Sequence, residues 1–98
     1  MRFAHREYDF LDTARRALAQ IADRLAERSQ SLLEELPRGP LPGYGDPERL
    51  QRAMVQLLEN ASKFSPERGH VGVRVIAREA SYELWVVDSG PGIPGGRE

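Results

Sequence analysis

Residues 46–88 have the sequence DPERLQRAMVQLLENASKFSPERGHVGVRVIAREASYELWVVD, and the spacing of apolar residues changes within it. Asp46, Pro47 and Glu48 are typical of a helix N-terminus, because aspartate caps free backbone N–H groups and proline suits the first helical position. An apolar stripe at three- and four-residue spacing then predicts a helix over residues 47–63. Its members are Leu50, Met54, Leu57, Leu58 and Ala61.

After Gly69 the apolar residues alternate with a period of two, which is typical of strands. Valines occupy every second position from Val71 to Val75, and a second apolar run covers residues 82–88. The short segment 79–81 separates the two runs. The pattern predicts an antiparallel hairpin, and Ser65–Pro66 together with Gly69 ends the preceding helix.

The sequence before residue 46 predicts another helix, and the secondary structure of one segment there is ambiguous. Leucine, isoleucine and alanine at helical spacing predict an amphipathic helix over residues 10–28, with Asp9 as its N-cap. Residues 29–36 could extend this helix or form a short strand. Residues 37–45 are rich in proline and glycine and are expected to be a loop. Residues 1–9 show no period and are expected to be disordered or a linker.

These elements predict an α+β fold, a two-layer sandwich with two helices on one face of a small mixed or antiparallel sheet. A chain of 98 residues holds one core, so residues 10–98 form a single domain. The net charge of −1 argues against nucleic-acid binding, which needs a basic face. The chain has no cysteine and no apolar segment of membrane-spanning length.

Three polar residues of the helix predicted over residues 47–63, Gln56, Asn60 and Lys63, fall on one stripe beside the apolar face, and Phe64 borders this stripe. An amide oxygen can coordinate Mg²⁺, and a lysine one turn away can reach phosphate oxygens. Lys63 is the single lysine among fourteen basic residues. A solvated helix flank would have the same composition, so spacing leaves both interpretations open.

The chain's last strand leads into a glycine-rich loop. Asp88 has the same parity as Leu84 and Val86, so it should lie on the face that those residues bury. A carboxylate there could accept a hydrogen bond from an exocyclic amine, while Gly90 and Gly92 would let backbone pass close to a flat ligand. A plain turn after a strand is the alternative.

Together, and in this order, two motifs resemble the ATP-binding domain of sensor histidine kinases, a fold shared with gyrase-type and chaperone ATPases. The motifs are Asn60-Ala61-Ser62-Lys63-Phe64-Ser65-Pro66 and Asp88-Ser89-Gly90-Pro91-Gly92-Ile93-Pro94. The first matches the end of the family's N box and the second its first glycine box. The resemblance covers most of residues 10–94.

The resemblance implies ATP and Mg²⁺ as cofactors, with Asn60 binding Mg²⁺ and Lys63 contacting phosphate. Gln56 stands where the family usually has its first N-box asparagine, or a glutamate in the hydrolysing relatives. A neutral amide is a poor general base, so kinase chemistry fits better than ATP hydrolysis.

The resemblance also implies an adenine pocket. Asp88 would accept from the adenine amino group, and Phe64 and Ile93 would line the pocket. Gly90 and Gly92 would allow the base to approach the backbone. The family's lid, phenylalanine box and second glycine box do not follow, so we expect a domain truncated after the first glycine box with weak, roughly millimolar nucleotide binding.

The resemblance implies a parent protein that transfers the γ-phosphoryl group of ATP to a histidine. Its partners would be a phosphoacceptor helical hairpin and a response regulator. We expect a cytoplasmic location, with a parent that can be membrane-attached, and a homodimer or larger assembly through the exposed edge of the last strand. The alternatives are a non-catalytic interaction module on the same fold and an anti-sigma-factor-type serine kinase or ATPase relative.

Overall fold

The computed structural model describes residues 5–88, and this part of the chain contains five strands and two helices. The order is β1 (Arg6–Asp9), α1 (Phe10–Glu27), β2 (Ser31–Glu35), β3 (Pro42–Gly45), α2 (Pro47–Phe64), β4 (His70–Ala77) and β5 (Tyr82–Asp88). The predicted helices and hairpin are confirmed, with ends that differ by one residue. Segment 29–36, for which the sequence allowed a helix extension or a short strand, contains the strand β2, so the helical alternative is wrong.

The strands form two sheets. In the three-stranded sheet, the order is β2-β4-β5, with β2 parallel to β4 and β5 antiparallel to β4. The register pairs Leu32 with Val71 on one side of β4 and Val71 with Asp88 on the other. An added Cβ at Gly72 would collide with the carbonyl oxygen of Leu33, so β2 and β4 approach closely only because this residue is glycine.

Both helices pack on the same face of the three-stranded sheet, which confirms the two-layer α+β prediction. Helix α1 contacts β2 and β4, while α2 contacts β4 and β5. The core forms where these layers meet, and apolar burial is its main source of stability. Its buried residues are Phe10, Leu11, Ala14, Ala17, Leu18, Ile21, Leu25, Leu41, Met54, Val55, Leu58, Ala61, Val71, Val73 and Val75.

Each helix begins at an aspartate, as the sequence predicts. Asp46 Oδ1 accepts hydrogen bonds from the backbone N–H groups of Glu48 and Arg49, both at 3.2 Å. Asp9 Oδ1 accepts from the N–H of Leu11 at 3.0 Å, and also from that of Leu41 at 3.0 Å. Asp9 therefore caps α1 and at the same time fastens the loop before β3 to the start of that helix.

Two expectations for the first half of the chain are wrong in part. Residues 1–9 were expected to be disordered or a linker, but within the described residues Arg6–Asp9 forms β1. The loop expected over residues 37–45 contains β3, which pairs antiparallel with β1 and joins Arg6 to Gly45 and Asp9 to Pro42. Hydrophobic periodicity does not predict this pairing, because each strand has only four residues and its partner lies far away in the sequence. Neither helix within residues 5–88 is both long and apolar enough to cross a bilayer.

Candidate functional site

The predicted site residues of α2 lie on the exposed surface of its C-terminal half. The side chains of Gln56, Asn60, Lys63 and Phe64 are all exposed. Phe64 is the most notable of them, because 69% of this large apolar residue is open to solvent. Lys63 Nζ lies 5.9 Å from the centre of the Phe64 ring, so the cation and the aromatic face are neighbours.

Leu57 was expected in the buried stripe of α2, and this expectation is wrong. Its exposure is 52%, whereas Leu58 is fully buried. Successive helical residues are about 100° apart, and the core side of α2 is centred on Leu58 and Met54. Leu57 therefore shares the exposed face with Asn60, three residues on, and Phe64, seven residues on. Sequence periodicity had missed this second apolar side chain beside the candidate site.

Asp88 lies at the end of β5 and is exposed. Its cross-strand partner is Val71, a core residue, so Asp88 stands on the helix-facing side of the sheet, as its parity predicted. Residues 65–69 connect the end of α2 to the start of β4, beside Asp88. The structure thus brings Asp88 to the same end of the molecule as Lys63 and Phe64.

The glycine-rich loop after Asp88 lies outside the described residues. The roles expected for Gly90, Gly92 and Ile93 therefore stay predictions. Within residues 5–88, the candidate site consists of the exposed C-terminal half of α2 and the end of β5.

A cavity of about 350 Å³ lies between the C-terminal ends of the two helices. Its walls carry both signs of charge, and Arg24 Nη2 approaches Glu59 Oε2 at 3.5 Å. Asn60 and Lys63 border this cavity as well as the outer surface of α2. Its lining residues are Arg24, Glu27, Arg28, Glu59, Asn60, Ser62 and Lys63.

Among the predicted site residues, Asn60 could serve as one ligand of a magnesium ion that arrives with a nucleotide. Histidine, aspartate and glutamate side chains of residues 5–88 do not gather in any group of three that could hold a metal. Asn60 offers one neutral amide oxygen on an exposed surface. Because Mg²⁺ keeps several waters and shares phosphate oxygens, one protein ligand of this kind is enough for a nucleotide-borne ion.

Two strand residues outside α2 have shifted pKa values. The indole N–H of Trp85 and the Arg78 guanidinium donate to the Glu83 carboxylate, and together they lower the pKa of Glu83. Burial, with a smaller contribution from Tyr82, raises the pKa of Tyr8. Trp85 itself is 56% exposed, on the outer face of the sheet.

Two buried polar residues near the site had no signal in the sequence pattern. Gln30 and Ser62 are both buried, and their side chains bond to each other at the end of α2. Gln30 falls in the segment that periodicity left open, and Ser62 is a serine within a helix. Only a buried glutamine's need for hydrogen-bond partners could have suggested such a contact, and only after its burial was known.

Comparison with known proteins places this geometry in a family. Residues 45–97 match the family described as Histidine kinase-, DNA gyrase B-, and HSP90-like ATPase. The signal transduction histidine-protein kinase/phosphatase MprB of Mycobacterium tuberculosis is 40% identical over 91 residues, which are 92% of this chain and 17% of MprB. The adaptive-response sensory kinase SasA of Gloeothece citriformis is 35% identical over 78 residues, 79% of this chain and 20% of SasA.

Solved structures agree with this assignment. A structure of the mycobacterial sensor histidine kinase MprB superposes with a TM-score of 0.78 at 32% identity, covering 94% of this chain and 60% of that one. The catalytic domain of histidine kinase ThkA reaches a TM-score of 0.86 at 18% identity, over 94% of this chain and 63% of that one, and shows the shared fold. The chain spans about a fifth of the length of the curated relatives it matches. It belongs to the histidine kinase-, DNA gyrase B- and HSP90-like ATPase family and matches the ATP-binding domain of sensor histidine kinases.

Proposed function

We propose that this chain binds ATP with Mg²⁺ at the C-terminal end of α2, as part of a sensor histidine kinase that transfers the γ-phosphoryl group of ATP to a histidine. The observation that carries the proposal is the common exposure of Asn60, Lys63 and Phe64 at the end of the sheet where β5 ends. An amide, an ammonium and an aromatic ring on one small surface suit a metal ion, a phosphate and a base in turn.

In this proposal, the phosphate side of the site belongs to α2. The Asn60 amide oxygen is a ligand of the nucleotide-borne Mg²⁺, and Lys63 contacts phosphate as a point charge. Gln56 lies one turn before Asn60 and orients substrate or water through its amide. Because an amide does not take up a proton near neutral pH, Gln56 does not act as a general base, and phosphoryl transfer is favoured over hydrolysis.

The base side of the site joins α2 to the end of β5. Asp88 accepts a hydrogen bond from the adenine amino group, and Phe64 packs against the ring together with Ile93. Gly90 and Gly92 let the base approach the backbone. The exposure of Asp88 and Phe64 supports this arrangement, because both groups are accessible to a ligand.

The proposal extends to the protein that contains this domain. A phosphoacceptor helical hairpin would receive the phosphoryl group, and a response regulator would receive it next. ThkA, which shares the fold at 19% identity, has been solved in complex with the response regulator protein TrrA. We place the domain in the cytoplasm, where ATP is available, whether or not the whole protein is attached to a membrane.

Calorimetric titration with ATP, with and without Mg²⁺, and with adenosine tests the proposal. Asp88→Asn should abolish adenosine binding while the chain stays folded, because the amide replaces one of the two acceptor oxygens of the carboxylate with an NH₂ donor. Asp12→Asn is the matched control, since Asp12 is an exposed aspartate on α1 that bonds to Arg16. No heat above dilution for the unaltered chain would instead indicate an interaction module that does not bind nucleotide.

We also propose that two copies associate through the edge of β5. Among the described strands, β5 is the last in the sheet order, and Tyr82–Val87 contains neither proline nor lysine to discourage pairing. Light scattering of the chain should report a mass above that of a monomer. Val87→Lys should restore the monomer, and a monomeric unaltered chain at high concentration would contradict this part of the proposal.

A further inference from the structure

The carbonyl end of α2 is held by two side chains from the connection between α1 and β2. Arg28 and Gln30 reach across to residues 62–66, more than thirty positions later in the sequence. We name these two side chains the α2 clamp. The last carbonyl groups of a helix have no partner within it, so they need donors from elsewhere.

Gln30 provides most of these donors. Its side chain is buried, and Nε2 donates to the carbonyl oxygens of Ser62 at 3.0 Å, Pro66 at 3.1 Å and Ser65 at 3.3 Å. An amide has two N–H groups, so three acceptors require at least one shared bond. On its other side, Gln30 Oε1 accepts from the Ser62 hydroxyl at 2.5 Å. Three carbonyls and one hydroxyl thus determine which way the amide faces.

Arg28 completes the clamp from the outer side. Its Nη2 donates to the Ser65 carbonyl oxygen at 2.8 Å, a charge-assisted hydrogen bond. Two backbone bonds reinforce the attachment, from Arg68 N to the Arg28 carbonyl at 3.2 Å and from Ser31 N to the Gly69 carbonyl at 2.9 Å. The whole connection between α2 and β4 is therefore fastened to the end of α1.

The position of Gln30 is set by the way α1 ends. Ser29 has a left-handed φ of 56°, its N–H donates to Ala26, and the Gln30 N–H donates to Leu25. These are the two bonds of a Schellman motif, in which the residue at the Gln30 position is frequently apolar and packs on its own helix. Here a glutamine occupies the position and turns to α2 instead. Burying an amide costs free energy unless it is fully hydrogen-bonded, and the carbonyls of α2 supply those bonds.

We infer that Gln30, as the centre of the α2 clamp, is a positioning residue for the nucleotide site, an inference that rests on the proposed function. Lys63 and Phe64 stand on the turn of α2 that the clamp holds, between Ser62 and Ser65. Without the clamp this turn frays, and only a fraction of molecules present both side chains in the binding arrangement. The apparent affinity then falls to the same fraction of its intrinsic value. Gln30 itself does not touch the nucleotide.

The test compares Gln30→Met with Gln20→Met in the full chain. Methionine fills the volume of glutamine and removes its hydrogen bonds. Gln20 is a matched control, because its Oε1 also joins α1 to α2, by accepting from Gln51 Nε2 at 3.0 Å, but on the exposed surface. Gln30→Met should weaken Mg²⁺–ATP binding about fivefold to tenfold in an NMR titration, and Gln20→Met by less than about twofold.

Hydrogen exchange supplies a readout that distinguishes positioning from general stability. The backbone amide of Ser65 donates to Ala61 at 3.0 Å, within the clamped turn. In Gln30→Met its exchange should accelerate, while that of β4 amides stays slow. A merely structural residue would lower the melting temperature and leave affinity unchanged at temperatures where the chain is folded. That result would overturn the inference.

A second variant covers the case in which Gln30→Met does not fold. Ser62→Ala removes one hydroxyl from the clamp and should weaken Mg²⁺–ATP binding about twofold to fivefold. Unchanged affinity in Ser62→Ala, with normal binding by the unaltered chain, would refute the positioning role and leave the proposed function intact. Absence of Mg²⁺–ATP binding by the unaltered chain would overturn the proposed function and the role of the clamp together.

Discussion

Both faces of α2 contain apolar and polar residues, but one face is buried and the other is exposed to solvent. Leu58 on one face is fully buried, while Leu57, the preceding residue, is 52% exposed. The buried face also contains a polar residue, Ser62, and the exposed face contains a large aromatic one, Phe64. Hydrophobicity alone therefore does not determine which residues of α2 are buried. The buried side is the one that contacts α1 and the sheet.

Stability and the proposed nucleotide binding are expected to depend on different faces of α2. The buried face joins α2 to the core and, through Ser62, to Gln30. The exposed face carries Asn60, Lys63 and Phe64, whose side chains are open to solvent. Substitutions on the two faces should therefore separate folding from nucleotide binding.

The largest effect is expected from the two adjacent leucines. Leu58→Ala should lower the free energy of unfolding by about 2–5 kcal/mol, because it leaves a cavity in the core. Leu57→Ala should change it by less than about 0.5 kcal/mol, as for other surface substitutions. Urea denaturation measures both. Similar losses in the two variants would contradict the assignment of the faces.

The polar residue of the buried face gives the next effect. Ser62→Ala should lower the free energy of unfolding by about 1–2 kcal/mol, because the Gln30 Oε1 atom loses its donor in a buried place. Lys63→Ala, one residue later and exposed, should stay within about 0.5 kcal/mol. The difference between the two denaturation midpoints is the test. Equal midpoints would mean that water replaces the lost hydroxyl at no cost.

Phe64→Ala should show the reverse behaviour. Because the side chain is 69% exposed, its loss should leave stability unchanged within about 0.5 kcal/mol. If Phe64 packs on adenine, adenosine affinity should fall about threefold to tenfold, which corresponds to one aromatic contact. Calorimetry with adenosine measures the affinity. A destabilised variant with normal affinity would show that Phe64 contributes to folding stability and not to adenosine binding.

The smallest expected effect lies on the outer face of the sheet, where Glu83 accepts from Trp85 Nε1 at 3.1 Å. This bond, and the Arg78 guanidinium after it, lower the pKa of Glu83 below its usual 4.5. The carboxylate therefore stabilises the fold above the pKa of the unfolded chain, and this contribution is lost as the pH falls through the lowered pKa.

Fluorescence follows this titration directly, because Trp85 is the single tryptophan of the chain. Acidification should change the emission with a midpoint below pH 4.5. Glu83→Gln should remove the transition, and Glu79→Gln, in the adjacent turn, serves as the control. A midpoint at or above the usual glutamate pKa would show that the indole contact does not persist in solution.

Local signals in the sequence account for much of the fold and part of the site. Asp46 with Pro47 marked the start of α2, Asp9 that of α1, and alternating valines marked β4. The spacing of Asn60, Lys63 and Phe64 on one helix was compatible with a site and with a solvated flank, and the resemblance of the motif to the N box favoured the site. For the helix starts and the strand, the interacting groups lie within a few residues of one another, so their order in the chain is sufficient information.

Other features depended on contacts between distant residues, and only the tertiary structure decided them. The pairing of β1 with β3 joins Arg6 to Gly45, and neither four-residue strand has a pattern of its own. The exposure of Leu57 depended on which side of α2 faces the core. The burial of Gln30, and its bonds to the carbonyls of Ser62 and Ser65, required the end of α1 to meet the end of α2. A glutamine is equally compatible with solvent and with a fully bonded interior, and only the groups that the fold places around it determine which state has the lower free energy.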